Sequence, residues 1–270
     1  MFLKSMTYEE IYRAISDEMH DAYAYYEKVK PKVDRALKKA TRFPLCLSFH
    51  WEHPRSHNVY NYYVQSNRPA QWKNPFMSVF CEYEGEFGKE VLIPMPIPGR
   101  RDLLLQVFKS HFYKRYGERF LEGADYRQIV MQYARRNLEA KSLGKECVSI
   151  NEQKEETPGY DKESMLTMDG LCLGLKSYDQ NIIIFKTFVS FDMLYQPQYE
   201  KVWPMYLPYV CTLAMKASPK NSMTINSIYE KGAVAIRQIA TKSDLPEDEK
   251  SHLIYKEYEQ TYHALTQYIM

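Results

Sequence analysis

Glycine is scarce in this chain, 10 of 270 residues, and no Gly-x-Gly-x-x-Gly, Walker-type or Gly-x-Ser-x-Gly stretch occurs. Phosphate-cradling loops and nucleophile elbows use such glycines to turn sharply or to approach a ligand closely. Dinucleotide-enzyme, kinase and serine-hydrolase readings are left without their motifs. The five cysteines (Cys46, Cys81, Cys147, Cys172, Cys211) form no Cys-x-x-Cys pair, which excludes a zinc ribbon or a thioredoxin-like site. Most sit among apolar residues, as in Leu45-Cys46-Leu47, where a thiol serves as a small core side chain. No apolar run approaches the ~20 residues of a membrane span, and no secretory apolar region follows Met1. A reduced, cytoplasmic protein without membrane contact is expected. Charge of one sign is missing as well: 36 Lys and Arg face 34 Asp and Glu. An anionic partner therefore requires local clustering of positive charge.

What is present is a globular composition, with 45% hydrophobic and 26% charged residues and 24 tyrosines. Thr7 and Glu10 have capping-box spacing, and Ile11, Ile15, Met19, Ala22, Tyr26 and Val29 follow at helical steps. A helix is predicted over 7–30, interrupted by Pro31, with a second short helix over 32–41. Between 43 and 97, aromatic and β-branched runs alternate with turn-forming stretches, which predicts antiparallel strands joined by hairpins. Pro94-Met95-Pro96-Ile97-Pro98-Gly99 reads as neither helix nor central strand and marks a boundary. Helices are predicted over 101–121 and 125–139, the second capped by Asp125. Residues 140–163 read mostly as surface loop, and 170–194 as a hairpin turning at 177–180. Helices over 197–216, 224–241 and 246–268 complete the chain; Pro204 and Pro208 should kink or divide the first of them. Tyr255, Tyr258, Tyr262 and Tyr268 lie at helical steps and read as a packing face.

The fold class is α+β: an antiparallel sheet with an N-terminal helix, two central helices and a C-terminal helical region. The predicted divisions are an N-terminal helical segment (1–42), a core containing the sheet (43–195) and a helical region packed on that core (196–270).

One polar constellation stands out. On a helix through Phe108 to Phe120, the side formed by Leu105, Phe108, Phe112 and Tyr116 also carries Arg119, flanked by His111, Arg115 and Glu118. Charges on an inward face must pair with one another or line a cleft, because an unpaired buried charge costs several kcal/mol. Arg offers a planar fork of donors to phosphate oxygens, His111 can exchange a proton near neutral pH, and Glu118 can orient it or act as a base. Between 100 and 136, nine basic residues face four acidic ones, with Tyr113, Tyr116, Tyr126 and Tyr133 interleaved. Arg100, Arg101, Arg115 and Arg127 are candidate contacts to a nucleic acid backbone.

His and Arg on a first helix, then a second helix, a strand hairpin and a final strand bearing Thr187 and Ser190 resemble the barnase/EndoU/colicin/RelE-like ribonuclease fold. Many bacterial toxin and phage-associated nucleases belong to that superfamily. The resemblance covers residues 100–195. It implies His111 as general acid or base, Arg115 and Arg119 on the scissile phosphate, and Thr187 or Ser190 hydrogen-bonded to it. The implied chemistry is metal-free transesterification of RNA, with no cofactor, and a protein inhibitor or a second copy as further partner. Strand alternation puts Thr187 and Ser190 on opposite faces unless a bulge intervenes, which favours Thr187. The competing reading is a non-catalytic interaction or nucleic-acid-binding protein whose His/Arg/Glu face is a structural ion-pair network.

His50, His53 and His57, with Glu52 among them, have spacing that can hold a metal. Pro54 and strand alternation argue instead for exposed hairpin histidines.

Overall fold

The structure, a computed structural model, describes residues 1–85, 88–97, 99–100, 102–137, 139–144, 158–194 and 196–269. Cys147 and Arg101 lie outside them. Thr7 accepts the Glu10 amide and the Glu10 carboxylate accepts the Thr7 amide, so the expected reciprocal cap opens helix α1 (Tyr8–Lys39). Ile11, Ile15, Met19, Ala22 and Tyr26 are buried as predicted, and the stripe continues through Val33 and Leu37. Pro31 does not end the helix. A proline removes one backbone bond and crowds the preceding turn. Breaking here would release Val33 and Leu37 from the sheet, and that burial prevails.

Nine strands are described: β1 (Leu45–Glu52), β2 (Val59–Ser66), β3 (Phe76–Gly85), β4 (Gly88–Pro96), β5 (Leu103–Phe108), β6 (Lys141–Ser142), β7 (Tyr160–Leu166), β8 (Gly170–Ser177) and β9 (Ile182–Ser190). They form one sheet in the order β1-β2-β3-β4-β5-β9-β8-β7-β6. All neighbours are antiparallel except β5 and β9, which run parallel. A parallel pair needs a long crossover, and helices α2 (Ser110–Phe120) and α3 (Tyr126–Asn137) lie within it.

Three layers result. Cross-strand rows Phe49–Tyr62–Val79 and Trp51–Tyr60–Cys81 lie on the α1 side, where Tyr62 stacks on Phe49. The alternate rows, Ser48–Tyr63–Ser78 and His50–Asn61–Phe80, face the opposite way, towards the layer of α2 and α3. That second core is aromatic: Phe108, Phe112, Tyr113, Tyr116, Tyr133, Phe185 and Phe188 are all at most 2% exposed. Their rings meet mostly edge-to-face, the arrangement favoured by the ring quadrupole.

Several predicted elements change. Residues 103–108, expected as the first turns of a helix, are the central strand β5, buried between β4 and β9. A short apolar run fits either element on periodicity alone. Pro94 and Pro96 lie inside strand β4, opposite Leu105 and Leu103. Pairing between β3 and β4 ends at Leu92, so beyond it a missing N–H interrupts no ladder on the β3 side. Part of the expected 140–163 loop is strand: β6 and the first residues of β7 fall within it. The hairpin of β8 and β9 turns where predicted, and Asp125 and Gln128 cap α3 reciprocally.

The chain divides into two compact units, 1–192 and 193–270. The second consists of α4 (Gln196–Ala217), α5 (Ser222–Ala240) and α6 (Glu247–Thr266), each packed on the other two. Helix α4 runs undivided through Pro204 and Pro208. Trp203 stacks on Tyr258 and meets Tyr255 and Tyr262 edge-on, so these tyrosines do form a packing face. No described helix is long and apolar enough to cross a membrane.

Candidate binding cleft

Helix α2 buries Phe112, Tyr113, Tyr116 and Gly117. This corrects the expected orientation of the polar constellation. Leu104, Leu105 and Phe108 belong to β5, and without them the apolar centre of the helix moves from Phe112 towards Tyr113 and Gly117. Gly117 is part of the contact: a Cβ there would lie 2.5 Å from Ile129 Cδ1 of α3. His111, Arg115 and Glu118 consequently face outward and are exposed. Arg115 bridges them, donating from Nε to His111 Nε2 and from Nη1 to Glu118 Oε2, both at 3.3 Å. Exposed bridges one helical turn apart contribute only about 0.3–0.5 kcal/mol.

The other predicted residues are dispersed. Arg119 is half-buried, and its Nε has no hydrogen-bond partner among the described residues. Thr187 is half-buried opposite Leu173, while Phe188 beside it packs on α2. Strand alternation therefore turns Thr187 to the sheet face away from His111. A bulge does occur in β9, but at Lys186, before Thr187, so Thr187 and Ser190 remain on opposite faces. Ser190 is buried, with its hydroxyl unpartnered among the described residues. Arg100 is exposed in the turn before β5. Arg127, of the predicted set, lines a cleft of about 710 Å³.

Three buried carboxylates elsewhere, Asp169, Glu90 and Glu18, each hold several donors. Asp169 accepts from Tyr116 Oη at 2.6 Å, Asn137 Nδ2 at 2.9 Å and the Arg136 guanidinium at 2.7 Å, tying the β7–β8 turn to both central helices. Glu90 accepts from Tyr8 Oη at 2.7 Å and Lys109 Nζ at 2.8 Å, and Lys109 also donates to the Tyr8 hydroxyl. Glu18 accepts from Tyr60 Oη at 2.7 Å and Asn58 Nδ2 at 3.0 Å, fastening the β1–β2 hairpin to α1. Burial first, and then the neighbouring carboxylate, pushes the Tyr116 and Tyr8 phenols above their ordinary range. Burial likewise holds the Cys172 thiol at about 12 and raises Cys81. These groups stay protonated at neutral pH and serve packing.

A cleft of about 710 Å³ opens where the ends of β1, β2 and β3 meet the N-terminal segment. Its apolar wall includes Phe2, Leu3, Val59 and Tyr83, and the Tyr83 hydroxyl donates to the Lys4 carbonyl at 3.1 Å. Its charged rim holds three cations, Lys4, Lys89 and Arg127, against three carboxylates, Glu52, Glu82 and Glu84. Lys89 pairs with Glu82 at 3.3 Å and His57 with Glu52 at 2.5 Å. An adjoining recess is floored by the Ser48 and His50 rows and walled by Arg127 and Met131.

The three hairpin histidines separate as alternation requires. His50 and His57 are exposed at the cleft, but His53 is buried, against expectation. Its Nδ1 accepts the Ser56 amide at 3.2 Å and its Nε2 lies 3.4 Å from Asp21 Oδ2. Among the described residues no group of three His, Cys, Asp or Glu side chains is placed to hold a metal. The cleft is not legible in the sequence because Asn61, Glu82 and Lys89 come together only through strand register; the histidine spacing and the candidate Arg127 are the signals that point to it. No protein-family model, curated protein or solved structure matches the chain.

Proposed function

We propose that the chain is a non-catalytic protein-interaction module whose cleft receives a short segment of a partner protein. The observation that carries this reading is the cleft's composition: an apolar wall under a rim of three cations and three carboxylates. A nucleic acid is recognised first by a field of one sign, and this rim has none. An apolar pocket with a few polar groups of both signs suits a peptide that inserts one apolar side chain. The lining contains no Ser, Thr or Cys that could act as a nucleophile. The ribonuclease expectation rests on residue types in α2, and an outward-facing His111 lacks an enclosing phosphate site within that cluster.

Panning a random-peptide phage library on the full chain tests the proposal. Enriched peptides should bind Val59→Lys and Arg127→Glu at least about tenfold more weakly than wild type, the loss of roughly 1.4 kcal/mol. Val59 is 41% exposed, so its replacement spares the core. Binding indifferent to both substitutions, or no enrichment at all, sinks the reading. RNA cleavage that persists in EDTA and disappears in His111→Ala would establish the ribonuclease instead.

A further inference from the structure

The two edges of the sheet are built differently. At one edge β6 is only two residues long and begins with Lys141. Shortness and a lysine are ordinary means of preventing a free edge from pairing with another strand. At the other edge β1 has eight residues, Leu45-Cys46-Leu47-Ser48-Phe49-His50-Trp51-Glu52, with no proline, glycine or lysine. Its pairing with β2 is continuous and free of bulges. Among the described residues its backbone bonds go to β2 alone. Leu45, Leu47, Phe49 and Trp51 are only half-buried although they sit on the core face, because nothing described covers their outer flank.

We propose that β1 is a pairing edge used by a second copy of this chain, through antiparallel addition of β1 to its counterpart. The strand is self-complementary. A two-fold axis perpendicular to the sheet at Phe49 sets Phe49 opposite itself and Leu47 opposite Trp51, which extends the apolar row across both copies. On the other face Ser48 meets His50, and Glu52 meets Cys46, so no like charges are opposed. Opposed apolar pairs stabilise a sheet, whereas directly opposed like charges disfavour it. Seven paired residues a side, Cys46 to Glu52, supply about seven main-chain hydrogen bonds.

Sedimentation equilibrium of the full chain tests this. The wild type should sediment with twice the mass of the chain. Ser48→Lys with His50→Lys places lysines opposite one another across the axis and should weaken the dimer at least about tenfold. Both positions are exposed, and an unchanged melting temperature and circular dichroism spectrum will show that the monomer keeps its fold. Ser48→Glu with His50→Lys turns each repulsive pair into an attractive one and should restore the dimer. A wild type that stays monomeric at its highest soluble concentration overturns the proposal, leaving the edge to a strand of another protein. A dimer indifferent to the paired lysines, or lost without rescue by the Glu/Lys pair, overturns it equally.

Discussion

At the scale of single residues, the tightest tolerance in the sheet is at Gly174, where β8 passes the bulge in β9. A Cβ there would lie 2.8 Å from the Ile184 carbonyl carbon and 2.9 Å from Phe185 Cα, atoms of backbone that cannot give way. Gly117 is crowded too, but by the tip of the flexible Ile129 side chain. Gly174→Ala should therefore cost about 3 kcal/mol through overpacking. Gly117→Ala should stay within about 1 kcal/mol, because alanine's helix preference offsets the displaced methyl. Urea denaturation midpoints of the two variants check the ordering, and equal losses would refute it. Neither demand is legible in the sequence, where both residues are merely rare glycines. The same holds for Asp169, an unremarkable turn residue until Tyr116, Arg136 and Asn137 converge on it.

At the scale of elements, local signals decided helix starts and missed interruptions. The Thr7–Glu10 and Asp125–Gln128 caps were readable because both partners lie within one turn. Pro31 is locally unfavourable but not decisive, since the gain from burying Val33 and Leu37 lies outside the window in which proline acts. Pro31→Ala should consequently raise stability by about 1–3 kcal/mol, restoring a backbone bond in a helix already held in place. A melting temperature unchanged or lowered would show that α1 depends on the proline's own packing. Strand β5 carries five apolar residues and one glutamine over six positions, too short a run for its period to separate strand from helix. A helix continued back through β5 would turn His111, Arg115 and Glu118 inward, whereas the helix that starts at Ser110 turns them out.

At the scale of the whole molecule, tyrosine is the main titrating load. Burial raises the phenols of Tyr60, Tyr62, Tyr63, Tyr113, Tyr126 and Tyr133 above their ordinary value of 10.0. Burial and the hydrogen bond to Glu9 hold Tyr160 at about 12. The folded chain thus grips these protons more tightly than the unfolded one. Their contribution to stability is complete below pH 10 and is lost as pH rises through the raised values. The phenolate absorbance of these buried tyrosines should then appear together with loss of near-ultraviolet circular dichroism, in one cooperative step above pH 10. Gradual ionisation of all the tyrosines with an intact spectrum would contradict the burial of these rings.

The amino-acid order alone determined the mixed class of the fold, the caps, the apolar stripe of α1 and the aromatic face of α6, all properties carried within a few residues by periodicity and local hydrogen bonding. Only tertiary structure decided which charges face inward, where a cleft opens and which strands form the edges of the sheet. Those depend on strand register and on helix rotation about its axis, and both are set by contacts between residues far apart in the chain.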